Sequence, residues 1–215
     1  MFGLFNKKVD IHSIAIKSFG WPKTKEDEHI TQWINPENTI AISVNFFNIP
    51  PDMPTAKDVD VLRDFYRSRV SAGNGGIITV DVSQLNHIPV VKTLFKFPQE
   101  ERGITYITAL TFLFKTCSFV VKVQAAETGA TGMREAFLGN KLMAGKSMEE
   151  ILSGWSSDPY DKAFKGEIMM NQSEEEQYDA QFPEHHLTKA RQILTQIEKS
   201  IQWKPVINKL EPFEY

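Results

Sequence analysis

The residues best placed to do chemistry are the run Glu127-Thr128-Gly129-Ala130-Thr131-Gly132 and the Arg134 just beyond it. A glycine loop between a strand and a helix can cradle a phosphate, because free N–H groups and the positive helix end face the anion. This loop has neither the G-x-G-x-x-G spacing nor the lysine of a Walker loop. It follows an antiparallel hairpin, and Glu127 would repel an anion. A turn with Thr131 capping the following helix accounts for it more simply.

The other candidates have equally plain explanations. His185 and His186 are adjacent, so on a helix their side chains diverge by about 100°. Helical zinc ligands stand four apart, as in H-E-x-x-H, so the two read as a surface pair at a helix N-terminus. His12, His29 and His87 are isolated. Cys117 lies in a hairpin turn beside Lys115 with no oriented base, whereas a nucleophilic cysteine needs a lowered pKa and such a base; a passive thiol is expected. No G-x-S-x-G occurs. Glu127 with Glu135, or Asp158 with Asp161, could form a general acid–base dyad, but caps, turns and solvated groups explain these carboxylates better. Strand parity suggests that Lys92, Lys96 and Lys122 share the less apolar sheet face beside Val90, Leu94 and Val120. There they would form a cationic patch for an acidic or amphipathic partner; lysines that discourage edge pairing are the simpler reading.

Bulk properties narrow the function classes. The 24 basic residues face 27 acidic ones, a net charge of -3, so no global positive field draws in nucleic acid. One cysteine in 215 residues rules out an intrachain disulfide and favours a reducing compartment. The opening MFGLFNKK places apolar residues before lysines, the reverse of an export signal. No run approaches the length of a membrane span. A cytoplasmic location is expected, and 15 phenylalanines predict an aromatic core.

These residues must be held by regular elements. Residues 11–21 alternate in part and read as a short strand, and KTKEDEH (23–29) as a charged loop. In TIAISVNFF (39–47), Ile40, Ile42, Val44 and Phe46 share one face of a strand, which ends at Pro50-Pro51. Thr55 to Asp58 resembles a capping box opening a helix, with Val59, Leu62, Tyr66 and Val70 at helical spacing. The glycines after Ala72 stop it. Four strands with short links follow, which makes them antiparallel neighbours: about 78–83, 89–97, 104–114 and 118–125. Tyr106, Leu110, Phe112, Phe114, Phe119, Val121, Val123 and Ala125 form the buried face, and the opposite face is mixed. A second helix runs from Thr131 to about Ala144, and MEEILSGW reads as a short helix. Ser173 to Glu176 is a capping box for another, halted at Phe182-Pro183. A last helix, about 184–201, carries the stripe Leu187, Ala190, Leu194, Ile197 and Ile201, followed by a pinned tail.

Strand, helix, four-stranded antiparallel meander, helix and further helices, with the hairpin leading into TGATGMREA (128–136), resemble the PsbP-like fold superfamily over about residues 38–145. That group includes photosystem oxygen-evolving subunits, a Ran-binding nuclear import factor and bacterial secretion-effector chaperones. The resemblance implies a mostly non-enzymatic fold whose members bind other proteins. DPYD (158–161) and YDAQFP (178–183) look like segments of bacterial proteins, and no functional residue carries over from them.

The expected fold is therefore α+β: an antiparallel β-sheet meander flanked by helices, an α/β/α sandwich. It is expected as one domain, 1–215, with a core at about 38–145 and a helical C-terminal extension over 146–215. The expected function is a non-catalytic, cytoplasmic protein-interaction module of adaptor, chaperone or immunity type, with another protein as partner and neither cofactor nor metal. Candidate binding residues are Lys92, Lys96, Lys122, Gln124, Glu127 and Arg134, with the Lys122–Gln124 face favoured over the glycines. The alternative is a small-molecule-binding or hydrolytic enzyme with its site near the Glu127–Arg134 loop and Trp155.

Overall fold

Short polar links between alternating runs leave the chain one inexpensive arrangement, each strand folding back on the last. The computed structural model describes residues 8–147, 150 and 155–213. Strands β1 (Ile14–Ala15), β2 (Lys23–Glu26), β3 (Ile30–Ile34) and β4 (Ile40–Phe47) precede helix α1 (Val59–Ala72). Then come β5 (Gly76–Leu85), β6 (Ile88–Pro98), β7 (Ile104–Leu113) and β8 (Ser118–Ala126), followed by α2 (Met133–Met143). The short strands β9 (Ser156–Ser157) and β10 (Met170–Asn171) lead to α3 (His186–Ser200) and β11 (Gln202–Trp203). Seven strands form one sheet in the order β2-β3-β4-β8-β7-β6-β5, and every pair in it is antiparallel. The fold is α+β, as the link lengths predict.

Parity decides both faces. Ile42, Val123, Val121 and Leu110 lie on the face that α3 covers with Leu187, Ala190, Leu194 and Ile197. Each fully buried leucine or isoleucine here contributes about 1.5–3 kcal/mol. At one end of this face Phe112, Phe119 and Trp203 meet edge-on, with ring centroids 4.9 and 5.6 Å from Trp203, a geometry that suits the ring quadrupoles. Trp203 reaches the cluster because β11 pairs with β1, Ile14 opposite Trp203. The tail beyond is pinned as expected, with Pro212 bridging Phe114.

On the opposite face α1 packs Leu62 and Val70 with Ile77, Val80, Val91 and Leu113. Its cover stops there. Gln124 is exposed and Lys122 and Val120 are half-exposed, so the mixed face is covered over one half and open over the other. A bulge between Ile77 and Thr79 turns Ile78 into the α3 core while Ile77 and Val80 face α1.

Several local expectations are corrected. KTKE forms an exposed edge strand, and its alternation was obscured because charged residues suit an edge. ITQWI forms β3 beside it. Helix α1 is capped by Asp58, whose carboxylate accepts the N–H groups of Asp60 and Val61; Thr55 instead closes a turn by accepting from Lys57 and Asp58 N–H. The helix stops without a left-handed glycine: Gly73 has φ -91°, and Asn74 takes φ +54°. Gly75 is needed for close approach, since a Cβ there would lie 2.4 Å from the Phe97 ring. Helix α2 is preceded by Gly132 at φ +74°, with no side-chain cap from Thr131. The Ser173 box is displaced to Asn171, which opens a 3-10 turn over Gln172–Glu174. The helix expected over MEEILSGW falls mainly on 148, 149 and 151–154, outside the described residues, as does most of MFGLFNKK.

Candidate functional site

Lys96, near the end of β6, pairs across the sheet with Tyr106 on β7. Their shared position in the pleat sends both side chains to the α3 face. Glu127 follows directly on β8, and Arg134 sits in the first turn of α2. The segment 167–174 and His185, the N-cap of α3, close the other side. Together these groups enclose a cleft of about 350 Å³.

A buried ion pair and a buried carboxylate–imidazole hydrogen bond form its floor. Lys96 Nζ donates to Glu174 Oε2 at 2.7 Å, and the Asn171 N–H donates to the same oxygen at 2.8 Å. Tyr106 donates to Glu174 Oε1 at 3.4 Å. Burial, and after it the charges of Glu174 and Glu127, hold the Tyr106 hydroxyl well above the ordinary tyrosine value, so it keeps its proton. Glu127 is 7% exposed. Its Oε1 lies 2.8 Å from His185 Nε2, and its Oε2 accepts the Ile104 N–H at 3.0 Å. The Leu187 N–H donates to His185 Nδ1 at 3.2 Å. That fixes the imidazole proton on Nε2, where it donates to Glu127. Burial pushes the Glu127 carboxyl up, but the hydrogen bonds from His185 and Ile104 outweigh it and hold the group below the ordinary glutamate value.

Arg134 is sunk into the wall. Its Nε donates to Ser173 O at 2.6 Å and its Nη2 to Glu175 O at 2.9 Å. Nη1 serves Asp179 Oδ1 at 2.8 Å and Thr188 Oγ1 at 3.0 Å. Arg191 donates to the same Asp179 oxygen at 2.9 Å. One guanidinium fork thus ties α2 to the 173–179 turns and to α3.

Of the candidate binding residues, Lys96, Glu127 and Arg134 come together in this cleft. The lysine patch does not form. Lys92 and Lys96 occupy the α3 face, where Lys92 meets Glu198 at 3.3 Å. Lys122 lies opposite Ser43 and Ala109 on the other face, with Gln124 two residues on. Parity within a strand does not fix its register against a strand two places away, so Lys122 stands level with Ala109 and Thr93 and falls on the opposite face from Lys92. His185 and His186 are not a surface pair: His185 is on Glu127, and His186 is half-buried. The acid dyads do not form either. Asp158 is the buried partner of Arg67, at 3.0 and 3.1 Å, and Glu135 accepts from Trp155 Nε1 at 3.3 Å. Glu174, Asn171 and Tyr106 escaped the sequence reading; the single hint was a tyrosine on the apolar face of β7. Cys117 is buried, which pushes its thiol up to about 11. Among the described residues no group of three or more His, Cys, Asp or Glu could hold a metal ion, and no helix is long and apolar enough to cross a membrane.

The cleft makes stability sensitive to acid. Burial, with the positive charge of Lys189 acting in the same sense, holds His186 below its usual 6.5; Glu127 lies below its usual 4.5. Each group therefore binds fewer protons folded than unfolded as the pH falls. Their stabilisation is complete above those ordinary values and is lost on acidification, His186 first and Glu127 after it. Denaturant titrations at about pH 8, 5.5 and 3.5 should show stability falling at each step, and Glu127→Gln should flatten the last. A chain that gained stability on acidification would contradict the assignment.

No family model and no curated protein matches the chain. Among solved structures it is similar to the Ran-binding protein Mog1p of Saccharomyces cerevisiae, with TM-score 0.44 and 7% identity over 89% of this chain and 86% of that one. It is similar also to cyanobacterial PsbP (CyanoP) of Synechocystis sp. PCC 6803, with TM-score 0.40 and 13% identity over 66% and 84%. A Bacteroides thetaiotaomicron structure matches with TM-score 0.38 and 8% identity over 57% of this chain, and the match spans only 41% of that protein. The relationship to the PsbP and Mog1 structures is a weak one of topology.

Proposed function

We propose that the chain is a non-catalytic module that binds another polypeptide through the outer face of α2. The inverted pattern of that helix carries the reading. Met133 and Phe137, one turn apart, are 63% and 58% exposed, while Arg134 beside them is 1% exposed. Phe137 leans edge-on against Phe182 at 5.7 Å, which extends the apolar ridge. Folding alone favours the reverse arrangement, with apolar side chains inside and the charge in water. Methionine and aromatic residues concentrate at the centres of protein interfaces, so a partner's surface would recover the area that the fold leaves wet.

The groups that could act as nucleophile or base support a binding role over a catalytic one. The thiol is buried and raised, Tyr106 keeps its proton, and Lys96 is engaged by Glu174. We place the module in the cytosol, where a reduced cysteine is stable, as an adaptor, chaperone or immunity-type protein. The test pairs capture from native cytosol with the double variant Met133→Asp/Phe137→Asp. The substitutions sit on an exposed face and should change stability by less than about 1 kcal/mol while abolishing recovery of the partner that the unaltered chain retains. Equal recovery by both chains would remove α2 as the interface. Sedimentation of the purified chain distinguishes a second copy of itself as the occupant.

A further inference from the structure

We infer that the cleft beside α2 takes a cationic side chain, an ammonium or guanidinium on an apolar stem, supplied by the polypeptide that docks on α2. The source of the cation rests on the protein-binding reading above; the sign of the charge rests on the cleft alone. Protein interiors leave few voids larger than a water molecule. A hollow of about 350 Å³ floored by buried ionised groups is of the size at which small polar ligands or single side chains are held.

The lining sets the class. Glu127, Glu135, Glu167 and Glu174 face Lys96 and Arg134, four negative charges against two positive, for a net of -2. Neither cation is uncommitted: Lys96 is on Glu174, and Arg134 shares Asp179 with Arg191. Arg191 and Asp179 behind the wall cancel one another and leave that balance unchanged. Among the described residues Glu127 has only an imidazole N–H and a backbone N–H on its oxygens, so a nearly buried carboxylate stands there without a full countercharge of its own. An anion entering this field is repelled and a cation is attracted.

Apolar walls suit the stem of such a side chain. Ile104, Ile168 and Met169 line the cleft with the Tyr106 ring. Long basic side chains bury their methylenes along surfaces of this kind while the head finds its carboxylate. Helix α2 links the cleft to the ridge: Met133 is exposed, and its neighbours Gly132 and Arg134 line the cleft. A segment covering Met133 passes beside the opening.

The test titrates the whole chain with Nα-acetyl-arginine amide and Nα-acetyl-lysine amide, with Nα-acetyl-citrulline amide as the neutral counterpart, following backbone amide resonances. Both cations should shift Ile104, Glu127 and Asn171, and the citrulline compound should not. Glu135→Gln/Glu167→Gln changes only exposed rim positions, so the fold survives, and it should weaken arginine amide binding about fivefold. Glu127→Gln should weaken it further. Equal shifts with citrulline, or an unweakened rim variant, overturn the cationic assignment. Spermidine binding far tighter than either amide would make a free polyamine the ligand and overturn the polypeptide source. Arginine amide binding without α2-dependent capture keeps the cation site and removes the protein-binding reading. Capture without arginine amide binding does the opposite.

Discussion

Arg134→Met is expected to lower the stability of the folded chain by about 3–5 kcal/mol, the cost of deleting one member of a buried charge network. The guanidinium makes four hydrogen bonds, to Ser173 O, Glu175 O, Asp179 and Thr188. Methionine fills part of the volume but satisfies none of these acceptors, and Glu175 O is left with the Tyr178 N–H. Arg191 still neutralises Asp179, so the loss comes from desolvated carbonyls and an imperfectly filled space more than from an orphaned carboxylate. For a chain of this length each kcal/mol lowers the melting temperature by about 2–4 °C. A fall of roughly 6–20 °C should be visible calorimetrically. Arg134→Lys keeps the charge and loses the planar fork, so it should recover less than half of the difference. A loss below about 1 kcal/mol for methionine would show that the 173–179 turns are held by other contacts.

Lys96→Met should be of comparable severity, about 3–5 kcal/mol, for a different reason. Here the group left behind is Glu174, almost wholly buried, with one backbone N–H and one distant hydroxyl to hold it. Glu174→Gln removes the opposite charge, keeps an acceptor for Asn171, and strands the Lys96 ammonium. The double variant Lys96→Met/Glu174→Gln removes both charges together. It should be more stable than the sum of the single effects by about 2 kcal/mol or more, the coupling expected of a contacting buried pair. The denaturant midpoint should move while the m-value stays constant. Strictly additive effects would mean that water reaches the pair and that the floor of the cleft is wetter than its burial implies.

The same two positions mark how far the sequence could be read. Strand β7 was legible because its signal is local: with a period of two, Tyr106, Leu110, Phe112 and Phe114 had to share a face. The antiparallel order of β5 to β8 followed from links too short for a crossover. The α3 stripe was legible for the same reason at helical period. The α1 cap and the Asn171 turn were missed by two or three residues, since Ser, Thr, Asn and Asp compete for the same backbone N–H groups over such distances. Strand β2 was missed because charged residues on an exposed edge carry no apolar alternation.

The glycine loop after β8 drew the first chemical reading and turned out to be important for its flanks. The order and type of the central strands, the shared face of the β7 and β8 apolar residues and the absence of a phosphate-loop pattern were determined by the sequence itself, because propensity, parity and loop length act between near neighbours. Only the tertiary structure decided that Glu127 meets His185, that Lys96 meets Glu174, and that Arg134 turns inward while Met133 and Phe137 face water. Those pairings depend on strand register and on where α3 lands on the sheet. A one-residue slip in either would send the same side chains to the other face, and nothing within a few residues of Glu127 or Lys96 specifies a partner so distant along the chain.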